Sequence, residues 1–174
     1  MSIELKSVKY RRAGWVAGLA FAVTAVQMSV TASIAHADTY FNIKTSRNPW
    51  SVDCAIDAQG IAKIGLCTIR ENRFRMDSEG HIISLSSNGC LTAGGGALPF
   101  WRCDLGYPEG VRQWRISAGS DGWGQILWKG IDPDPRNQYR NCLARRSNNR
   151  GEELTLGGCD DSSYLTYWQV VHIQ

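Results

Sequence analysis

Six cysteines stand at positions 54, 67, 90, 103, 142 and 159, and taken in order they form three pairs with steps of 13, 13 and 17 residues. Their surroundings recur with them. Five and three places before each second cysteine stand Ala62 and Ile64, Leu98 and Phe100, then Leu154 and Leu156. Side chains two apart share one face of a strand, so each pair marks a half-buried strand. After each second cysteine comes a triplet, Phe74-Arg75-Met76, Trp114-Arg115-Ile116 and Trp168-Gln169-Val170, whose outer members again alternate toward one face. The order and spacing agree well enough to read one unit copied three times.

The aromatic anchors of the units lie 40 and 54 residues apart. Repeats of that length, rich in glycine turns and short strands, belong to radial or pseudo-symmetric all-β architectures. A propeller needs at least about four blades, and only three units exist here. Three units of about four short strands therefore predict a three-fold closed β structure. Glycines recur too often, from Gly60 through Gly94-Gly95-Gly96 to Gly124, for long helices. The third unit is longer, largely through Asp132–Tyr139, a turn-rich stretch expected to be an exposed loop.

Composition and charge narrow the setting. With 43% apolar and 20% charged residues, the 174-residue chain is neither disordered nor collagenous. Its formal charge of +3 resides wholly in residues 1–37, which hold Lys6, Lys9, Arg11 and Arg12 against Glu4. The remainder balances at 15 basic and 15 acidic residues, which gives no pull toward nucleic acid or anionic lipid. Residues 1–37 read as a secretory signal peptide. Those four cations precede an apolar run from Ala13 to Val26, and Ala35-His36-Ala37 supplies the small-x-small cleavage pattern. The domain is then expected over 38–174. Gln27, Ser29, Thr31 and Ser33 dilute the run below the span of about 20 apolar residues a membrane helix needs. No stable membrane insertion is expected after cleavage, and the protein is expected to be secreted or periplasmic. The compartment beyond the membrane is oxidising, so an even cysteine count points to disulfides. Six cysteines allow fifteen pairings; the repeat favours Cys54–Cys67, Cys90–Cys103 and Cys142–Cys159. Zinc fits poorly, because no CxxC occurs and His81 and His172 stand alone.

On these residues the chain resembles the ricin B-type lectin family, whose fold is the β-trefoil. The second unit matches through Cys90-Leu91, Leu98-x-Phe100-Trp101-x-Cys103 and Arg112-Gln113-Trp114, which stands where the family usually carries Gln-x-Trp. The third matches through Cys142-Leu143, Leu154-x-Leu156, Cys159 and Thr166-Tyr167-Trp168, and the first through Cys54, Cys67 and Asn72-Arg73-Phe74. The resemblance covers residues 40–172. It implies an all-β β-trefoil and a carbohydrate-binding role. In the family a sugar-competent unit has an Asp two places after its first cysteine, an aromatic platform near the second, and an amide near Gln-x-Trp. Here the Asp position reads Ile56, Thr92 and Ala144, and the Gln position reads Asn72, Arg112 and Thr166.

Trp101 is the remaining platform, since it follows the inward Phe100 and should face outward. Gly65 and Gly157 occupy the corresponding places in the other units. Thr92, Asp104 and Arg112 are expected beside Trp101 as hydroxyl, acceptor and donor. Asp57 with Asn72 is a second, weaker candidate, although an Asp three before Gly60 also suits a turn that bonds its own backbone. Phe74, Trp114 and Trp168 are read as core. Trp123 and Trp128 are read as straddling a Gly124-Gln125 turn, and with Trp50 they form either an exposed aromatic patch or rings covered by loops. Arg145-Arg146 with Arg150, offset by Glu152 and Glu153, reads as a solvated loop. Neither GxSxG nor HExxH occurs, and the glycine run lacks the Lys-Ser/Thr of a phosphate loop. The expectation is a secreted, non-catalytic lectin-like module for cell-surface or polysaccharide glycan, or a glycoprotein, without cofactor or metal. Its alternative is a protein- or receptor-binding subunit of a bacterial toxin-like assembly, comparable to the trefoil subunits of cytolethal distending toxins, that has lost the usual sugar sites. A third is a secreted inhibitor acting through the Asp132–Tyr139 loop.

Overall fold

The computed structural model describes residues 39–48, 50–67, 70–108, 110–136 and 139–173; the expected signal peptide lies outside them. Twelve strands occur there, four to each unit. The first unit holds β1 (Tyr40–Lys44), β2 (Asp53–Ala58), β3 (Ile61–Leu66) and β4 (Phe74–Met76). The second holds β5 (Ile82–Ser84), β6 (Gly89–Leu91), β7 (Phe100–Arg102) and β8 (Trp114–Ala118). The third holds β9 (Trp123–Trp128), β10 (Asn141–Ala144), β11 (Thr155–Gly158) and β12 (Tyr167–Ile173). Among the described residues the only helical turn is a 3₁₀ turn over Arg70–Asn72, and no helix is long and apolar enough to cross a membrane.

The outer strands of the units close a ring. β1 pairs with β4 and β12, β4 with β5, β8 with β9, and β9 with β12, all antiparallel. β5 and β8 approach through the bridge between His81 and Gln113 and a bond from the Trp114 amide to the Gly80 carbonyl at 2.8 Å. Gly80 has φ +86°, and a Cβ there would meet the Trp114 carbonyl oxygen at 2.8 Å, so the close approach requires glycine.

The inner strands form three hairpins, β2–β3, β6–β7 and β10–β11, each closed by its own disulfide. Cys54–Cys67, Cys90–Cys103 and Cys142–Cys159 span Cα separations of 5.0, 5.1 and 5.1 Å. The hairpins meet in a cyclic set of backbone bonds. The Ala62 amide donates to Leu98 O (2.8 Å), Leu98 to Leu154 O (2.9 Å) and Leu154 to Ala62 O (2.8 Å). All three residues are buried, where an unpaired amide would cost about 1–3 kcal/mol. They are the residues five places before each second cysteine, so the repeat in sequence is a three-fold closure in space. This is the β-trefoil arrangement.

Phe74, Trp114 and Trp168 lie in the core. The two indole N–H groups each donate at 2.8 Å, Trp114 to Leu91 O and Trp168 to Leu143 O. Phe74 has no donor and instead stacks on Phe100, with centroids 5.7 Å apart. Two expectations need correction. Trp123 and Trp128 do not straddle a turn, because both belong to the continuous strand β9. A Cβ on Gly124 would collide with the Ser117 carbonyl, so this glycine lets β8 and β9 approach rather than reversing the chain. Arg145 is also no solvated loop residue: only 3% of its surface is exposed.

Candidate ligand-binding site

Pairing of β6 with β7 sets Cys90 opposite Trp101 and Leu91 opposite Phe100. Phe100 enters the core, and Trp101 turns outward with 44% of its surface exposed. Its ring stacks on Tyr107, at a centroid distance of 5.0 Å and an interplanar angle of 22°. Tyr107 belongs to the loop after Cys103, which Arg112 holds. The Arg112 guanidinium donates to the carbonyls of Arg102 (3.0 Å), Cys103 and Leu105 (2.5 Å), and lies 5.5 Å from the Tyr107 ring centre. Beside it Arg102 grips Asp104 in a two-pronged pair at 3.0 and 2.5 Å. That hydrogen bonding from Arg102 keeps the exposed Asp104 carboxyl below its ordinary range.

Three of the four residues expected around this platform thus share one loop end: Trp101, Asp104 and Arg112. Thr92 does not join them. It is buried, and its hydroxyl donates to Cys90 O at 2.9 Å, leaving nothing to offer a ligand. The candidate pair of the first unit is not assembled either. Asp57 is buried and accepts from the Gly60 amide (2.8 Å) and the Ser87 hydroxyl (2.5 Å). Asn72 is buried and donates to Cys67 O. The turn that bonds its own backbone is what Asp57 makes.

Asn72 follows a rule common to all units. Asn72 Nδ2 donates to Cys67 O, Arg112 Nη1 to Cys103 O, and Thr166 Oγ1 to Cys159 O at 3.1 Å. The position two before each aromatic anchor needs only a donor that can reach the carbonyl of the second cysteine. Amide, guanidinium and hydroxyl all meet that need.

The platform position is filled differently in the other units. A Cβ on Gly65 would strike the Ile56 side chain, and one on Gly157 would meet the Tyr164 ring at 2.7 Å. Ile56 and Tyr164 therefore cover the space that a side chain at those positions would need. Tyr164 also lines an open cleft of about 360 Å³ in the third unit, with Trp123, Asp160, Asp161, Ser162 and Tyr167. Trp123 stacks on Tyr167 with centroids 6.1 Å apart. Arg145 reaches this cleft from inside. It donates to Thr45 O (2.7 Å), Tyr167 O (2.9 Å) and Asn148 Oδ1 (2.8 Å), and its guanidinium lies 4.2 Å over the Trp168 ring. Burial pulls its pKa down to about 10, partly opposed by the charge of Glu152, so it remains a cation at neutral pH.

Tyr107, Tyr164 and Arg145 escape the sequence reading. The tyrosines carried a signal, since they follow their second cysteines by four and five residues. Among the described residues no group of three or more His, Cys, Asp or Glu side chains is placed to hold a metal ion.

No family model matches the chain, and no curated protein matches it by sequence. Solved structures do. The chain is similar to a mosquitocidal holotoxin (TM-score 0.58, 11% identity, 79% of this chain and 18% of that one). It is similar to the β-trefoil lectin of the Vibrio vulnificus hemolysin/cytolysin, solved with N-acetyl-D-lactosamine bound (TM-score 0.58, 15% identity, 79% of this chain and 97% of that one). It is also similar to the cytolethal distending toxin of Actinobacillus actinomycetemcomitans (TM-score 0.54, 11% identity, 76% and 90%). The chain thus spans less than a fifth of the holotoxin. At these identities the likeness is one of fold, and that fold is the β-trefoil.

Proposed function

We propose that the protein is an exported, non-catalytic carbohydrate-binding module whose main platform is the stacked pair Trp101 and Tyr107. The observation that carries this reading is an outward indole, fixed by a second ring and by Arg112, next to the Arg102–Asp104 pair. A flat ring covers the apolar face of a pyranose, while the neighbouring carboxylate and guanidinium offer an acceptor and donors to its hydroxyls. Asp104 and Arg102 are exposed and already satisfied by each other, so a single contact is weak and useful retention draws on more than one site. The third-unit cleft, with Tyr164, Asp160 and Ser162, offers a second contact of the same chemistry. Pairing of all six cysteines supports an oxidising compartment, secreted or periplasmic.

A glycan array on the chain without residues 1–37 tests the reading. Saturable retention is expected, and Trp101→Ala should abolish it with little change in melting temperature. Equal retention by that variant would refute the assigned platform. One observation favours a second reading, a receptor- or subunit-binding role in a toxin-like assembly: Trp101, Leu105 and Tyr107 expose an apolar patch at one loop end. That reading gains if no glycan is retained and Leu105→Asp releases a co-purifying exported protein.

A further inference from the structure

The arginines of the described residues divide into two sets. Arg47, Arg102, Arg136 and Arg150 pair with carboxylates. Arg112, Arg140 and Arg145 donate to carbonyl groups, and Arg115 and Arg146 lie over tyrosine rings. Among the described residues only Arg70, Arg73 and Arg75 have side chains outside any such contact, and they cluster at the 3₁₀ turn and β4. Two of them, Arg70 and Arg73, line a cleft of about 330 Å³ with Asn42, Leu85 and Ile173. Glu71, between them in sequence, does not line it.

Asn42 also borders this cleft, with its Oδ1 buried and without a hydrogen-bond partner. The pseudo-symmetry sharpens the contrast. Phe74 and Trp168 are equivalent, so counting back from each places Arg70 and Arg73 where Tyr164 and Tyr167 stand in the third unit. Both clefts are bordered by the second cysteine of their unit and by the donor that holds it. One is lined by two free guanidinium groups and the other by tyrosines, Asp160 and Asp161.

We propose that the first-unit cleft binds the oxyanion of an acidic saccharide, carboxylate or sulfate, on Arg70 and Arg73. Guanidinium groups suit such oxyanions because their N–H fork matches two oxygens at once. Residues 38–174 have no net charge, so no long-range field of the whole domain draws an anion and the preference is assigned to this cleft. The saccharide part of the proposal rests on the carbohydrate-binding reading; the oxyanion part does not.

The test is calorimetric titration of the exported chain with lactose, 3′-sialyllactose, sulfated lactose and sodium sulfate. Both acidic sugars are expected to bind at least about tenfold more tightly than lactose, a factor worth roughly 1.4 kcal/mol. Sulfate should compete with them. R70Q/R73Q should remove that preference while the Trp101-dependent retention of lactose persists. Equal affinity for neutral and acidic sugars, or an acidic preference that survives R70Q/R73Q, overturns the proposal. If no sugar binds but sulfate does, and R70Q/R73Q abolishes it, the oxyanion site stands and the carbohydrate reading falls. Both arginines are exposed, so the variant should melt with the parent.

Discussion

Trp114 and Trp168 occupy equivalent places and make the same indole bond at 2.8 Å to a buried carbonyl, but only Trp168 lies under a guanidinium. Replacing either by Phe keeps a ring in the core and removes the donor. The abandoned carbonyl costs about 1–3 kcal/mol, and the smaller ring leaves a void worth roughly 1 kcal/mol more. Trp168→Phe additionally weakens the attraction for Arg145, whose centre lies 4.2 Å over that ring. Arg145 makes no ion pair among the described residues, so the indole adds to its hydrogen bonds in offsetting the burial of its charge. A desolvated cation over indole is worth up to about 2 kcal/mol, and Phe recovers only part of it. Trp168→Phe should therefore destabilise by about 1 kcal/mol more than Trp114→Phe. Urea unfolding with the disulfides intact measures both. In an Arg145→Met background the gap should close, which isolates the ring–cation contribution. Equal losses in the parent, or a gap that survives Arg145→Met, would refute the reasoning.

Arg112→Ala should lower glycan retention although Trp101 is untouched, and hydrogen exchange of the amides at 103–107 should rise, because three carbonyls lose their common donor. Gly80→Ala should cost about 1–3 kcal/mol in denaturant unfolding, since it forces an L side chain to positive φ against the Trp114 carbonyl. Acid should destabilise the protein through Glu152. Burial raises its pKa, but the Ser147 hydroxyl and the amides of Arg146 and Ser147 outweigh that and hold it below the ordinary 4.5. A carboxyl lowered on folding stabilises above its unfolded pKa and loses that contribution as pH falls through the folded one. The melting midpoint should therefore drop as pH falls below 4.5, and less steeply in Glu152→Gln.

The fold was legible because what repeats in this sequence is what the trefoil needs three times. Cysteine spacing marked each hairpin, and the alternation at Ala62, Leu98 and Leu154 marked the residues that bond one another across the axis. Phe74, Trp114 and Trp168 were legible as core for the same reason. The residues of the candidate site were less so, because pseudo-symmetric units differ at their surfaces. Thr92 has an outward register by simple alternation, yet it is buried and bonds its own strand. Asn72, Arg112 and Thr166 differ in charge, size and shape but all can donate, and that shared job emerges only when their equivalent cysteine carbonyls are seen. Arg145 lay within a run of charges that looked solvated. Its burial depends on Thr45, 100 residues earlier, and no local pattern conveys a contact so distant.

The ring of amide bonds among Ala62, Leu98 and Leu154 has no beginning, since each unit donates to one neighbour and accepts from the other. β1 and β12 also run side by side, with Tyr40 facing Ile173. Covalent order along the polypeptide is therefore incidental to how the units interlock. A circular permutant that joins those two strands by a short linker and opens between β9 and β10 should assemble the same molecule, with its three staples unchanged.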